Sequence, residues 1–176
     1  MADLTAERAR ELLAYDPATG ELRWRSDCWT GRYGRQLNAR SGDVAGHPAK
    51  GGCRVGVDGR SYLAHRVAWL ITHGRWPSRQ IDHANGNPED NRLANLREAT
   101  ASQNQCNQGL GRNNTTGFKG VTRYRDGRWA ARIKRDGREH FLGYFNTPED
   151  AHAAYCAAAT RLHGDFANPG GGAHAR

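Results

Sequence analysis

Hydrophobic positions in this chain recur at two spacings, one helical and one alternating, and the changes between them mark out its elements. Thr5 to Ala14 carries a helical pattern with Thr5 as its N-cap. Asp16-Pro17-Ala18-Thr19-Gly20 is a turn, and Glu21 to Arg25 is a strand. Residues 26–52 are glycine-rich without periodicity, and no element is assigned there. Cys53–Val57 and Arg60–Leu63 form a hairpin about Asp58-Gly59. Ala64–His73 follows as a helix with Val67, Leu70 and Ile71 on one face, closed by Gly74. A short strand ending near Ile81 and a second over Leu96–Ala99 enclose a polar loop. Thr100-x-x-Gln103 is a capping box that opens another helix with Asn104 in its first turn.

Residues 109–117 (Gly-Leu-Gly-Arg-Asn-Asn-Thr-Thr-Gly) are polar and aperiodic, which predicts a linker. Beyond it, Gly120 to Lys134 reads as two strands joined at Asp126-Gly127, and Glu139 to Phe145 as a third strand after Asp136-Gly137. Trp129, Ala131 and Ile133 fall on one face of the middle strand, Arg132 and Lys134 on the other. Thr147-Pro148 has the form of a helix start, and Ala151, Ala154, Tyr155, Ala158 and Leu162 repeat at helical spacing until Gly164. The expected fold class is α+β: a first module over 1–108, a linker over 109–117, a three-stranded antiparallel sheet on one helix over 118–168, and a flexible tail over 169–176.

Charge sharpens this division. The 176 residues carry a formal net charge of +8, which suits a polyanionic partner. Nine basic residues against two acidic ones lie within 112–138, so most of the excess sits on the predicted sheet. No run reaches the ~18–20 apolar residues of a bilayer span, and residues 1–5 lack the character of a signal peptide. The four cysteines are far apart in sequence and form no C-x-x-C pair, so neither a disulfide framework nor a cysteine-ligated zinc site is expected. The thiols are expected to be reduced and the protein cytoplasmic. No apolar heptad pattern is present, and a monomer is expected.

The candidate chemistry lies in residues 80–104. Strand, loop, strand and helix would bring Asp82, His83, Asn95 and Asn104 to one place. Asp82 and the Asn104 amide oxygen are hard ligands suited to one magnesium or manganese ion, with positions left for water and phosphate. His83 can take a proton from the attacking water near neutral pH, and Asn95 can orient its ring. Singly, each residue has a bland explanation, because loop asparagines form turns and loop histidines are commonly solvated. The ordered set is far more specific.

These residues resemble the HNH (ββα-metal) endonucleases, in the branch found in phages and group I introns. The matching text runs from Tyr15-Asp16-Pro17-x-Thr19-Gly20, through Leu63-Ala64-His65-Arg66-Val67-Ala68-Trp69 and His73-Gly74-Arg75-Trp76-Pro77, to Asp82-His83-x-Asn85-Gly86 and Asp90-Asn91-Arg92-x-x-Asn95-Leu96-Arg97. The resemblance implies Asp82 and Asn104 as metal ligands, His83 as general base and Asn95 as its orienter. Many members place a histidine where this chain has Asn104 and carry structural cysteine pairs absent here, which favours the branch of intron-encoded nicking enzymes. Asn107, one turn beyond Asn104, is a rival ligand; His65 could serve the site, with a structural hydrogen bond the expected role. A bacterial or phage-infected cell is the expected setting.

Residues 117–168 resemble the Apetala-two/ethylene-response-factor DNA-binding domain, through Gly120-Val121, Trp129-x-Ala131-x-Ile133, Leu142-Gly143-Tyr144-Phe145-x-Thr147-x-Glu149-x-Ala151, Ala154-Tyr155 and Gly164. That resemblance implies a sheet laid in the major groove of double-stranded DNA. Thr122, Tyr124, Arg132, Lys134 and Phe141 would face the groove, while Arg123, Arg125, Arg128 and Arg138 would meet phosphates or strand edges. Thr122, Tyr124 and Asp126 stand where some plant base-readers fall, so the target sequence does not carry over. A-form RNA, with its deep narrow groove, suits such a sheet less well. Two functions compete: a site-directed, metal-dependent DNA endonuclease of homing type, cutting one strand or two without a small-molecule cofactor, or a sequence-specific DNA-binding regulator with an inactive nuclease fold.

Overall fold

Thr5 starts the first helix as its sequence predicts, its Oγ1 accepting the Arg8 N–H at 3.2 Å. A computed structural model of the chain describes residues 3–30 and 36–170. The chain divides into two units, Met1–Glu98 and Ala99–Arg176.

In the first unit, α1 (Ala6–Leu12) ends two residues earlier than its pattern predicts. Leu13 turns instead into β1 (Leu13–Tyr15), which pairs antiparallel with β2 (Leu22–Trp24). Pairing places Leu13 opposite Trp24, and burial of both in the core outweighs one further helical turn. The segment left unassigned by sequence holds three short strands: β3 (Cys28–Thr30), β4 (Gln36–Ala39) and β5 (His47–Ala49). β3 and β4 pair with each other, and β5 adds to the predicted hairpin of β6 (Gly52–Val57) and β7 (Arg60–Leu63). α2 (Ala64–His73) lays Val67 and Leu70 into a core shared with Leu13, Leu22, Val55 and Val57. A second cluster of Ala68, Trp69, Ile81 and Leu96 joins that helix to the two-stranded sheet of β8 (Gln80–His83) and β9 (Leu96–Ala99). Ile81 thereby anchors the strand whose next two residues are Asp82 and His83.

The second unit begins with α3 (Ala101–Asn107). Its capping box forms as expected: Thr100 Oγ1 accepts from Gln103 N at 3.2 Å, and Gln103 Oε1 accepts from Thr100 N at 2.8 Å. β10 (Val121–Arg123), β11 (Trp129–Arg135) and β12 (Arg138–Phe145) make one antiparallel sheet in that order. α4 (Pro148–His163) packs on it, with Ile133 meeting Tyr155, Ala158 and Ala159, and Val121 and Ala131 meeting Ala151. Alanines along the helix allow its close approach. The pairing of β11 with β12 shifts between Ala131 and Arg132, so Phe141 comes opposite Arg132 and Tyr144 opposite Ala130.

The unit boundary lies ahead of the predicted linker, because α3 belongs with the sheet. Lys119 Nζ donates to the carbonyls of Cys106 (2.7 Å), Gln108 (2.6 Å) and Asn168 (2.9 Å). Asn168 Nδ2 donates to Asn107 O at 2.7 Å. Residues 114–118 are held by their own side chains, with Asn114 Nδ2 and Thr116 Oγ1 both donating to Phe118 O. A glycine-bearing polar segment is thus locked by hydrogen bonds that composition does not reveal. Most of the expected tail, residues 171–176, lies outside the described residues. Among the described residues no helix is long and apolar enough to cross a membrane.

Candidate active site

β8 alternates poorly for a half-exposed strand because Ile81, Asp82 and His83 are all buried. A buried carboxylate needs compensation. Arg97 supplies it from β9: its Nε and Nη2 lie 2.9 and 2.8 Å from Asp82 Oδ2. His83 is 8% exposed and its Nε2 lies 3.0 Å from Oδ1 of Asn91, itself 7% exposed. A carboxamide oxygen only accepts, so the ring donates from Nε2 and carries its lone pair on Nδ1.

Between the strands, the loop is built from its own polar side chains. Asn95 Oδ1 accepts from Asn85 N at 2.9 Å, and Asn95 Nδ2 donates to Asn85 Oδ1 at 3.0 Å and to Asp90 O at 2.7 Å. Asp90 also accepts from Asn85 Nδ2 at 2.7 Å and pairs with the Arg92 guanidinium, which holds its carboxyl well below the usual range. The Asn95 carboxamide therefore fastens the loop, while the carboxamide on the imidazole is that of Asn91. Sequence reasoning gave the orienting role to Asn95 because family spacing favours it. Asn91 and Arg97 both lie in the Asp90–Arg97 stretch that carries the family resemblance, and neither has a role that sequence assigns.

His65, the second residue of α2, stands edge-on to His83 with ring centroids 5.0 Å apart and an interplanar angle of 87°. Its Nδ1 has no hydrogen-bond partner among the described residues. Burial, followed by the neighbouring His83 and Arg66, pushes its pKa down to about 4. Its ring is neutral at physiological pH.

Asp82, His83 and Asn95 thus stand on one hairpin of the first unit, and Asn104 and the rival Asn107 stand on α3 of the second. Asn107 is 3% exposed. Among the described residues no group of three or more His, Cys, Asp and Glu could hold a metal ion. The Asp82 carboxylate is a hard oxygen donor of the kind that divalent cations take.

On the sheet, Val121, Ala131 and Ile133 face α4, and alternation turns Thr122, Arg132 and Lys134 to the exposed face. Tyr124 and Phe141 are exposed as well. They gather around Tyr144, which was not among the predicted contacts: both ring centroids lie 4.9 Å from its own. Arg128 pairs with Asp126 and stacks its guanidinium 4.5 Å from the Tyr144 centroid. Arg123 lies 5.9 Å from the Trp129 ring. Arg125, in the β10–β11 turn, and Arg138, at the start of β12, are exposed. The β-bulge explains the missed Tyr144, since simple alternation from Phe141 puts it on the helix side.

A family model described as HNH endonuclease matches residues 62–106, from the β7–α2 junction through the Asp82/His83 hairpin into α3. Protein 3.8 of Escherichia phage T7 is 31% identical over 105 residues, covering 58% of this chain and 86% of that protein. The chain belongs to the HNH endonuclease family. An ethylene-responsive transcription factor of Arabidopsis thaliana is 54% identical over 52 residues, 28% of this chain and 20% of the plant protein. An AP2-like ethylene-responsive transcription factor from the same plant is 32% identical over 146 residues, 77% of this chain and 26% of the relative. Both parts of the resemblance read from the sequence therefore have counterparts among known proteins, although the HNH-family chain spans only a fifth to a quarter of the length of these plant relatives.

Proposed function

We propose that this HNH-family protein is a site-directed, divalent-metal-dependent DNA endonuclease of homing type, its sheet unit supplying the address and its hairpin the chemistry. The observation that supports this most directly is a buried Asp-His pair with each member held by a dedicated side chain, Arg97 on Asp82 and Asn91 on His83. A solvated loop would leave both unclamped. In the reaction, the His83 lone pair accepts the proton of the attacking water, and Asn91 Oδ1 holds the imidazolium that forms. Asn95 keeps the loop closed beneath it. Asp82, with the Asn104 amide oxygen, would hold magnesium or manganese, which when bound stabilises negative charge on the scissile phosphate and leaving oxygen. The basic sheet tethers the nuclease to duplex DNA and raises its effective concentration there.

The test is nicking of supercoiled plasmid in magnesium, with and without chelator, by the parent, Asp82→Ala and His83→Ala. Both variants are expected to lose cleavage while binding duplex DNA within about threefold of the parent, since phosphate contacts dominate affinity. Parental cutting by either variant overturns the site assignment. A parent that binds duplex but never cuts supports the regulator reading instead.

A further inference from the structure

The Tyr15-Asp16-Pro17-x-Thr19-Gly20 text has no part in the chemistry just described, yet it lies against the loop that holds the base. Tyr15 Oη donates to the carbonyl of Asn91 at 2.7 Å. Pro17 O accepts from Leu93 N at 3.0 Å. Gly20 has φ +81°, and a Cβ there would sit 2.5 Å from both the Asn91 carbonyl carbon and the Arg92 nitrogen. The β1–β2 turn therefore touches residues 91, 92 and 93 in succession, at a distance only glycine permits.

We infer that Asn91 is the positioning residue of His83, and that the β1–β2 hairpin is the brace that fixes Asn91. This rests on the reading of His83 as general base. Asn91 cannot choose its place alone, because its neighbours Asp90 and Arg92 pair with each other at the surface. Its backbone is set from behind by Tyr15 and Gly20, and its carboxamide then reaches the imidazole within a buried contact. Tyr15 can only brace by donating, and its phenol, pushed up to about 12 chiefly by burial, keeps its proton at any working pH. One tautomer of His83 follows, with Nε2 protonated and Nδ1 basic.

The parent chain, Asn91→Ala, Asn91→Asp, Tyr15→Phe and Gly20→Ala are compared in single-turnover plasmid nicking, duplex binding, thermal melting and nitrogen NMR of the histidine rings. Asn91→Ala is expected to cut about 10- to 100-fold more slowly with duplex affinity unchanged within about twofold. Asn91→Asp keeps an acceptor on Nε2 and is expected to recover the single ring tautomer lost in Asn91→Ala. Tyr15→Phe and Gly20→Ala show smaller losses of the same kind. A folded Asn91→Ala protein that cuts within twofold of the parent overturns the inference. The NMR readout stands apart from cleavage. A His83 ring held as the Nε2–H tautomer in the parent and mixed in Asn91→Ala supports positioning, and an identical ring in both overturns it. Parental cutting by His83→Ala would sink the general-base reading while leaving the tautomer result to decide the positioning.

Discussion

His65 offers a quantitative test of how the site is packed, because its cost in acid can be calculated. The ring is 7% exposed and its pKa is lowered from 6.5 to about 4. A depressed histidine pKa means that the unfolded chain binds a proton more readily than the folded one between those two values. Stability from this residue is therefore complete above about pH 6.5 and is lost as pH falls toward about 4. Linkage gives a loss of about 2 kcal/mol at pH 5 relative to pH 8, and a limit of about 3 kcal/mol below pH 4. His65→Leu removes both the titration and the buried nitrogen that lacks a partner. At pH 8 its stability should stay within about 1 kcal/mol of the parent, since an unsatisfied polar group is exchanged for an apolar one of similar bulk. At pH 5 the variant should be the more stable by about 1–2 kcal/mol. Urea unfolding across pH 4.5–8 measures this directly, and taking the difference between the two proteins cancels the other histidines. Parallel stability curves would refute the burial argument and imply that water or another donor reaches Nδ1.

Further outcomes follow from the second unit and from the ion pair. Lys119→Met deprives three carbonyls of one charged donor, and should destabilise the second unit by about 2–4 kcal/mol, with faster hydrogen exchange over residues 100–108. Unchanged exchange there would show that α3 is held by packing alone. Replacing Arg125 and Arg138 together should weaken duplex binding and flatten its logarithmic salt dependence by about two if both meet phosphates. Tyr144→Ala should lower affinity without changing that slope, because the ring carries no charge, and a changed slope would argue that it acts by holding Arg128. Arg97→Met should leave Asp82 buried beside an apolar side chain and cost about 3 kcal/mol or more of stability; a melting temperature equal to the parent's would show that the carboxylate has another partner of equal strength.

Local grammar determined much of this protein. The Thr5 cap, the Asp58-Gly59 hairpin, α2 with its Gly74 stop, the Thr100/Gln103 box and the Thr147-Pro148 helix start were all legible, because each depends on residues within one or two turns of each other. The ordered Asp82, His83 and Asn95 pointed to a candidate site for the same reason: all three lie on one hairpin. What the sequence could not show were contacts whose partners are distant along the chain. The early end of α1 was settled by core burial of Leu13 against Trp24. Short strands in 26–52 form where neighbours complete their pairing, without any alternation of their own. Asn91 faces His83 because the turn at Gly20, seventy-one positions upstream, presses on its backbone. Lys119 gathers three carbonyls from two separate segments, the end of α3 and the stretch after α4, and so gives α3 to the sheet. Periodicity and caps report free energies summed over neighbours in sequence, whereas these choices were made by hydrogen bonds and packing that exist only once the chain has closed on itself.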